Sequence, residues 1–293
     1  MLDSHPALQT TGLAKHYGDT RALASVSLTI SPGVTALLGQ NGAGKTTLIR
    51  CALGLETPSG GRVRVFGKVP NKRATRQHIG AMLQDTELPD LLTGRELLEL
   101  FASYYSKPMS CDTVIRLAQI ESFVDKRYKK LSGGQKRRIQ FGTAIVGDPD
   151  LVFLDEPTTG LDTDARKALW SVVRSFARAG RSIILSTHYL EEADALADRV
   201  VILADGKIIA DAQAHELRSS VAGALIRCET QLDIATIEAL PGCVGAVRAE
   251  GFTEIRTTHA PTTLRTLLQR DSDLKDLTVT QPKLEDVFED LVQ

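Results

Sequence analysis

The chain has few of the features that mark secreted, zinc-binding or membrane-spanning proteins. Its four cysteines, at positions 51, 111, 228 and 243, are far apart and match neither a zinc-ligand nor a disulfide spacing. The N-terminal residues show no basic segment followed by an apolar one, and no apolar run approaches the ~20 residues that cross a bilayer. We therefore expect reduced thiols and a chain that is soluble by itself, with any membrane role depending on a partner.

The sequence also lacks an excess of charge of either sign. Lys and Arg together number 35, Asp and Glu together number 36, and the net charge is -1. Nucleic acids and anionic membranes attract strongly basic surfaces, so we expect no nucleic-acid partner. The hydrophobic fraction of 42% over 293 residues allows one large domain, or one large domain with a small appendage.

Strand and helix patterns alternate along most of the chain, which indicates a mostly parallel sheet covered on both faces. Strands are predicted at Leu8–Leu13, Ala24–Ile30, Val34–Leu38, Arg62–Phe66, Leu151–Leu154, Ser182–Thr187 and Val200–Leu203. Helices are predicted at Thr46–Leu53, Leu92–Tyr105, Cys111–Phe123 and Ala165–Ala179. The stretch from about 85 to 147 is mostly helical by pattern, so we interpret it as an inserted helical subdomain.

The pattern changes near residue 220, where a small C-terminal α+β domain is predicted over 220–293. Its elements run strand, helix, hairpin around Gly251, helix and strand. This βαββαβ order matches a ferredoxin-like unit. A last helix is predicted at Lys283–Val292, and its apolar stripe must pack on the domain itself or on a partner. We expect an accessory or regulatory role for this domain.

A glycine-rich loop between a predicted strand and a predicted helix gives the first chemical assignment. Residues 39–46 contain Gly, four other residues, then Gly-Lys-Thr. Glycines permit backbone angles that side chains forbid, so successive N–H groups can surround an anion at a helix N-terminus. Lys45 is expected to reach terminal phosphates and the Thr46 hydroxyl to ligate Mg²⁺. The pattern predicts a nucleoside triphosphate site, the alternative being a glycine-rich turn without a ligand.

Two acidic residues, Asp155 and Glu156, follow the buried strand predicted at Leu151–Leu154. Ligands of such sheets bind at the carboxyl ends of the strands, so this pair should face the phosphate loop. We expect Asp155 to hold Mg²⁺ through water and Glu156 to polarise the attacking water as a general base. The alternative is an acid pair on the surface.

A second candidate anion site lies at Leu131–Gln135, where Ser-Gly-Gly-Gln precedes a helical run. A serine and bare backbone amides at a helix start favour anion binding. One chain does not need two sites for one terminal phosphate, so this element is interpreted as completing another subunit's nucleotide pocket. The alternative is a capped helix after a loop.

In this order and spacing, these elements resemble the ATP-binding subunit of an ABC transporter, over about residues 7–215. The matching residues are Gly39, Asn41, Gly42, Ala43, Gly44, Lys45, Thr46, Thr47, Gln84, Ser132, Gly133, Gly134, Gln135, Asp155, Glu156, Asp162 and His188. The resemblance implies an α/β P-loop NTPase fold over residues 1–219, with a mostly parallel sheet, an antiparallel β subdomain and the inserted helical subdomain. Gln40 departs from the proline of many family members, at a variable position.

The resemblance also assigns roles to residues that are ambiguous alone. Gln84 matches a glutamine that senses Mg²⁺ and the catalytic water, with a loop that contacts the membrane partner. His188 matches a switch histidine at the γ-phosphate, and Asp162 lies in a loop that crosses the dimer interface. Tyr17 falls where the family stacks an aromatic ring on adenine. A polar loop residue, a structural histidine and a packing tyrosine are the corresponding alternatives.

The segment Gln281–Phe288 resembles the ending of the daunorubicin-resistance type of ABC ATPase, which favours an export system. The resemblance implies an ATPase that dimerises with itself on binding ATP and powers separate membrane permeases. Such a subunit is cytoplasmic, at the inner face of the membrane. The alternatives are an import ATPase and a soluble ABC ATPase of translation or DNA repair. The latter is disfavoured because the chain has one cassette and no room for a long coiled coil between Lys45 and Ser132.

Overall fold

The computed structural model describes residues 5–220, 223–249 and 251–280. The chain divides into two compact units, Met1–Asp211 and Ala212–Gln293. The strands are β1 Leu8–Tyr17, β2 Thr20–Ile30, β3 Gly33–Leu38, β4 Gly60–Val65, β5 Ile79–Met82, β6 Leu151–Asp155, β7 Ser182–Ser186, β8 Arg199–Ala204, β9 Lys207–Gln213, β10 Ala224–Glu229, β11 Cys243–Ala249, β12 Phe252–Thr257 and β13 Lys275–Thr280. The helices are α1 Lys45–Ala52, α2 Arg73–Arg76, α3 Gly94–Ala102, α4 Cys111–Ala118, α5 Gly133–Ile145, α6 Thr163–Arg178, α7 Leu190–Leu196, α8 Ala214–Ser220, α9 Ile234–Glu238 and α10 Ala260–Arg270.

The larger unit is built on a six-stranded sheet in the order β5-β6-β7-β3-β8-β9. Strand β3 runs parallel to β7 and β8, and β6 runs parallel to β5 and β7. In this register Ser186, the last residue of β7, pairs with Leu37 on one side and Asp155 on the other. The carboxyl ends of β3, β6 and β7 therefore meet at one edge, which is where parallel sheets bind ligands.

Strand β6 shows why this sheet is hydrophobic on both faces. All five of its residues are buried. Val152 and Leu154 belong to the apolar cluster on the side of the helical subdomain, whereas Leu151 and Phe153 belong to the cluster beneath α1. A parallel strand covered on both faces needs a continuous apolar run rather than alternation, as the sequence predicted.

A separate three-stranded antiparallel sheet completes the larger unit, in the order β2-β1-β4. Its strands alternate buried and exposed residues, as in the run Val26 to Ile30. This period of two is the pattern of a sheet with one face on the core. The predicted antiparallel portion is therefore present, and both β1 and β2 are longer than predicted.

The helical subdomain contains α3, α4 and α5, and three predicted boundaries are wrong: the start of α3 at Leu92 and the ends of α3 and α4. Helix α3 begins after Thr93, whose side chain accepts from the Glu96 N–H in a capping box, and it ends at Ala102 rather than at residue 105. Helix α4 ends at Ala118, not at residue 123. Its C-cap, Gln119, adopts the left-handed conformation with φ 51, which stops a right-handed helix.

The smaller unit contains an antiparallel sheet in the order β11-β12-β10-β13, with α9 and α10 between its strands in sequence. The strand order and directions are those of the predicted ferredoxin-like arrangement. Its core contains Ile226, Cys228, Ile237, Ile255 and Leu267. The helix predicted at 283–292 lies outside the described residues. Within the described ranges, no helix combines the length and apolar character needed to cross a bilayer.

Gly80 tests the packing of β5 against the helical subdomain. A Cβ at this position would lie 2.0 Å from the Ala144 carbonyl oxygen and 2.9 Å from Pro149 Cγ. We expect Gly80→Ala to lower the free energy of unfolding by about 1–3 kcal/mol through overpacking, as measured by urea denaturation. Gly60→Ala on β4 is the control, because its Cβ would meet only Ala14 at 3.6 Å. Equal stability of the two variants would contradict the close contact.

Candidate active site

The glycine-rich loop connects β3 to α1. At two of its positions only glycine fits, because neighbouring backbone leaves no room for a side chain. Gly39 and Gly44 have φ of 151° and 104°, which side chains rarely adopt. A Cβ on Gly39 would lie 2.3 Å from the Leu203 carbonyl oxygen, and one on Gly44 would lie 2.5 Å from the Ala22 carbonyl oxygen. Gly44 is also the N-cap of α1 and provides no side-chain cap. The first amides of α1 are therefore left to an anionic ligand.

Lys45 lies against this loop with 6% of its surface exposed. Its ammonium donates to the carbonyl oxygens of Gly39 at 2.6 Å and Gln40 at 3.0 Å. Burial lowers the pKa of Lys45, and the nearby carboxylates of Glu156 and Asp155 oppose that shift. The loop therefore contains a partly desolvated positive group beside its own carbonyls, which suits a dense anion such as a phosphate chain.

Asp155 ends β6 and has no exposed surface. Its Oδ2 accepts from the Thr46 hydroxyl at 3.1 Å, and its Oδ1 accepts from the Ser186 hydroxyl. Burial raises the pKa of Asp155, whereas these two hydrogen bonds lower it. The carboxylate thereby connects the start of α1 to the ends of β6 and β7.

The oxygen atoms of Thr46 and Asp155 are candidate ligands for a magnesium ion. The Thr46 hydroxyl and the Asp155 carboxylate are adjacent, and hard cations prefer oxygen ligands. Within the described ranges no group of three or more His, Cys, Asp or Glu side chains is placed to form a metal cage. Mg²⁺ is usually bound by one or two carboxylates together with substrate phosphates, so this donor set fits Mg²⁺ that arrives with a nucleotide.

Glu156 follows Asp155 in a strained conformation that aligns it with His188. Its φ is 49°, and a non-glycine residue in such a conformation costs about 1–3 kcal/mol. Its N–H donates to the Ser186 carbonyl oxygen at 3.0 Å and to the Ser186 hydroxyl at 3.2 Å. Its Oε1 lies 2.9 Å from His188 Nδ1. Backbone strain at this point orients a largely buried carboxylate toward the histidine.

These groups surround a cavity of about 510 Å³. Its lining consists of Asn41, Gly42, Gly44, Lys45, Thr46, Thr47, Gln84, Glu156 and His188. All nine are residues that the sequence predicted for the site. Gly39, Ala43 and Asp155 are buried beside or beneath this lining. The individual roles of these residues stay predictions, but the structure brings them together.

Six other predicted site residues do not line this cavity. Tyr17 ends β1 with 44% of its surface exposed, and the Lys15 ammonium lies 4.9 Å from its ring centroid. Asp162 caps α6 by accepting from the Ala165 N–H at 2.8 Å. The remaining four are Ser132, Gly133, Gly134 and Gln135, at the start of α5. Adenine stacking by Tyr17 and an interface role for Asp162 stay predictions.

The start of α5 is capped within the chain and open on its outer side. The Ser132 Oγ accepts from the Gln135 N–H at 3.3 Å, and the Gln135 Oε1 accepts from the Ser132 N–H at 3.0 Å. Ser132 and Gly133 are exposed, and a Cβ on Gly133 would meet nothing within 4 Å. The helix start is therefore capped within the chain and accessible from outside, and its role at another subunit's nucleotide stays a prediction.

Sequence reasoning missed two residues that support the cavity. Ser186 binds both Asp155 and Glu156, and its position at the end of a buried strand beside β6 was the available signal. Arg137 donates to the carbonyl oxygens of Leu83, Gln84 and Glu156 at 3.3–3.4 Å. No local pattern marks Arg137, because these contacts join distant parts of the chain.

The sequence is similar to members of one known protein family. Residues 23–159 match the ABC transporter family model. The Nod factor export ATP-binding protein I of Rhizobium etli is 35% identical, and the match covers 96% of this chain and 92% of that protein. The daunorubicin resistance ATP-binding protein DrrA3 of Streptomyces coeruleorubidus is 34% identical, with 96% of this chain and 94% of that protein covered.

Solved structures agree with this relationship. A solved ATP-binding subunit of an ABC transporter is 27% identical with a TM-score of 0.68, and the match covers 73% of this chain and 92% of that chain. A dimeric bacterial ABC transporter cassette, 23% identical, shares the fold with a TM-score of 0.65 over 70% of this chain and 98% of that chain. The chain belongs to the ABC transporter family, in which it is an ATP-binding subunit and an ABC ATPase.

Proposed function

We propose that this subunit binds ATP with Mg²⁺ in the cavity at the carboxyl edge of the sheet. Two copies then hydrolyse ATP in a head-to-tail dimer and drive export through separate membrane permeases. One observation carries this proposal. The phosphate loop, Gln84, Glu156 and His188 line one cavity. The Ser132–Gln135 element of the same chain, in which Ser132 and Gly133 are exposed, lines none of it.

Phosphate binding is assigned to the loop and to Lys45. The amides at the start of α1 and the ammonium group supply donors that suit a triphosphate. In this structure the ammonium is bound by the carbonyls of Gly39 and Gln40. A phosphate oxygen would take over part of that coordination, so the positive charge is already in position when the nucleotide arrives.

Hydrolysis is assigned to Glu156, with His188 and Gln84 orienting the reacting groups. The Glu156 carboxylate lies at the cavity wall and accepts a proton from the attacking water as general base. His188, 2.9 Å from this carboxylate, fixes its direction and lies where a γ-phosphate would be held. Positioning and charge stabilisation provide most of the rate enhancement in phosphoryl transfer.

Thr46, Asp155 and Gln84 are the proposed ligands of Mg²⁺, directly or through water. A Mg²⁺ ion held there would neutralise negative charge on the phosphate groups of the nucleotide. Asp155 is already oriented by the hydroxyl groups of Thr46 and Ser186. This fixed orientation supports a role for Asp155 as a Mg²⁺ ligand, because the carboxylate does not need to move when Mg²⁺ arrives with the nucleotide.

The exposed start of α5 is proposed to complete the nucleotide site of a second copy. Its open glycine and accessible helix end favour contact with a phosphate from outside the chain. Two further residues lie outside the cavity lining. Asp162 is proposed to lie at the dimer interface, and Tyr17 is proposed to stack on the adenine ring. ATP would then join the two copies, and hydrolysis would remove that connection.

Export is proposed from the relatives that match nearly the whole chain. Their names describe Nod factor export and daunorubicin resistance. We infer that the present subunit acts at the cytoplasmic face of a membrane and drives permease subunits that export a drug or another hydrophobic or chemically complex substrate.

We expect ATP-dependent transport when the chain is assembled with its own membrane subunits in inside-out vesicles. A panel of hydrophobic fluorescent substrates that includes daunorubicin would be followed by accumulation inside the vesicles. Vesicles with Glu156→Gln are the matched control and should accumulate none. If ATP is hydrolysed but every substrate behaves as in the control, the export proposal is wrong, and ATP-driven release in the opposite direction would indicate import.

Glu156→Gln should also trap an ATP-bound dimer. The amide keeps the shape of the side chain but accepts no proton, so we expect hydrolysis to fall by about 100-fold or more. Size-exclusion chromatography with ATP should then show a shift from monomer to dimer. Glu99→Gln, at an exposed position on α3, should retain hydrolysis. A Glu156→Gln protein that stays monomeric with saturating ATP would contradict the shared site.

Ser132 and Thr93 each cap a helix through a capping box. Comparing alanine variants of the two distinguishes the capping role of Ser132 from its proposed phosphate contact. Ser132→Ala and Thr93→Ala each remove the cap of one helix, and each should lower the free energy of unfolding by about 0.5–2 kcal/mol. We expect only Ser132→Ala to lower the ATPase rate, by about tenfold, through loss of a phosphate contact across the dimer. Equal ATPase loss in both variants would indicate that Ser132 acts as a cap alone.

A further inference from the structure

Arg137 lies one turn after the start of α5 and joins three segments of the larger unit. Its Nη1 donates to the carbonyl oxygens of Leu83 and Gln84 at 3.4 Å each. The same nitrogen donates to Gln140 Oε1 at 3.3 Å, and Nη2 donates to the Glu156 carbonyl oxygen at 3.3 Å. One guanidinium thus binds its own helix, the loop after β5 and the end of β6.

Two of the carbonyls that Arg137 binds, those of Gln84 and Glu156, lie outside regular secondary structure. Gln84 lies in a turn after β5, outside regular secondary structure, and Glu156 has a left-handed backbone at the end of β6. Both residues line the cavity. The Glu156 carbonyl also accepts from the Thr159 N–H at 3.4 Å, but neither carbonyl belongs to a helix or a strand ladder. The guanidinium therefore adds a tertiary contact that restricts the two side chains through their backbones.

Gln140, one turn further along α5, strengthens the same connection. Its Nε2 donates to the Thr86 carbonyl oxygen at 2.6 Å and lies 2.9 Å from the Tyr128 hydroxyl, to which it also donates. It is buried, with 7% of its surface exposed. The loop from Leu83 to Thr86 is therefore held at several carbonyls by a single face of α5.

The charge and shape of Arg137 both contribute to this connection. Burial lowers the pKa of its guanidinium, and the carboxylates of Glu156 and Asp155 are the largest opposing influence. A guanidinium presents several N–H groups in a fixed plane and can bind carbonyls in different directions, whereas a lysine ammonium is a compact point charge. The site therefore requires arginine rather than positive charge alone.

We propose that Arg137 is a positioning residue that couples the start of α5 to Gln84 and Glu156 of the same chain. The proposal rests on the proposed function, in which Ser132–Gln135 contacts the nucleotide of the second copy. A nucleotide that displaces the Gln84 loop or the Glu156 backbone in one chain then shifts the helix start that serves the partner. Arg137 thus aligns the base for hydrolysis and links the two nucleotide sites.

Arg138 provides a matched control on the same helix. It is partly buried, as Arg137 is, and it also binds backbone carbonyls, those of Ala118 and Gln119 at the end of α4. Its guanidinium lies 5.3 Å from the Phe123 ring centroid. Loss of Arg138 therefore removes comparable packing and hydrogen bonds without touching a residue of the cavity.

The full chain is assembled with its membrane subunits, and its ATPase kinetics are measured. The same assembly is made with the variants Arg137→Met, Arg137→Lys and Arg138→Met, and their kinetics are compared with those of the unsubstituted complex. We expect both Arg137 variants to lower kcat by about 10- to 100-fold, as for loss of hydrogen bonds from a charged donor. The KM for ATP should stay within about threefold, since Lys45 and its loop are unchanged. The Hill coefficient for ATP should fall toward 1, and Arg138→Met should retain both kcat and cooperativity.

The outcomes separate this role from general destabilisation and from the proposed function. The midpoint temperature of thermal unfolding should fall by similar amounts in Arg137→Met and Arg138→Met. Equal kcat loss in those two variants, or a raised KM with unchanged kcat, would overturn the positioning role. Should Arg137→Met fail to fold, Arg137→Lys decides the matter, since wild-type kcat and cooperativity in that variant would also overturn it. An unsubstituted complex that does not hydrolyse ATP refutes the proposed function, whereas active Arg137 variants refute only the positioning role.

Discussion

The site depends on the buried carboxylate of Asp155 and the two hydroxyl groups that bind it. A carboxylate without exposed surface is stable only when hydrogen bonds replace its hydration, and Thr46 and Ser186 supply them. Since Thr46 lies in the first turn of α1 and Ser186 ends β7, the same bonds fix the phosphate loop against the strand ends. The chemistry and the local fold are thus secured by one polar cluster. Removing either hydroxyl would leave a charge that the apolar strands around it cannot solvate.

The sheet makes this cluster possible because β3, β6 and β7 run parallel and end at the same edge. Leu37, Asp155 and Ser186 lie at paired register positions, so residues more than a hundred positions apart become neighbours. The helical subdomain approaches the same edge through α5, whose Arg137 and Gln140 bind the loop after β5. Its N-terminus is turned outward. One helix therefore binds the loop beside the cavity of its own chain, while its capped N-terminus stays accessible.

The sequence was most informative where chemistry and spacing coincide. The loop 39–46 and the acids at 155 and 156 were predicted because their roles need particular residue types next to a strand or helix end. Strand β5, with Gly80 in its four residues, was not predicted because it is short and lacks a clear period. The predicted end of α4 was also wrong, since nothing in the local pattern marks Gln119 as a residue with a left-handed backbone. Arg137 and Ser186 required the tertiary fold, because their partners lie 19–54 positions away along the chain.

The choice of serine at position 132 follows from the number of hydrogens and lone pairs on a hydroxyl group. Capping of α5 uses one lone pair of the Ser132 oxygen, and the hydroxyl hydrogen remains for a separate acceptor. Aspartate caps helices as well as serine does. A carboxylate, however, has no proton to donate and would repel a phosphate. A single small side chain can therefore stabilise its own helix and donate to an anion at the same time.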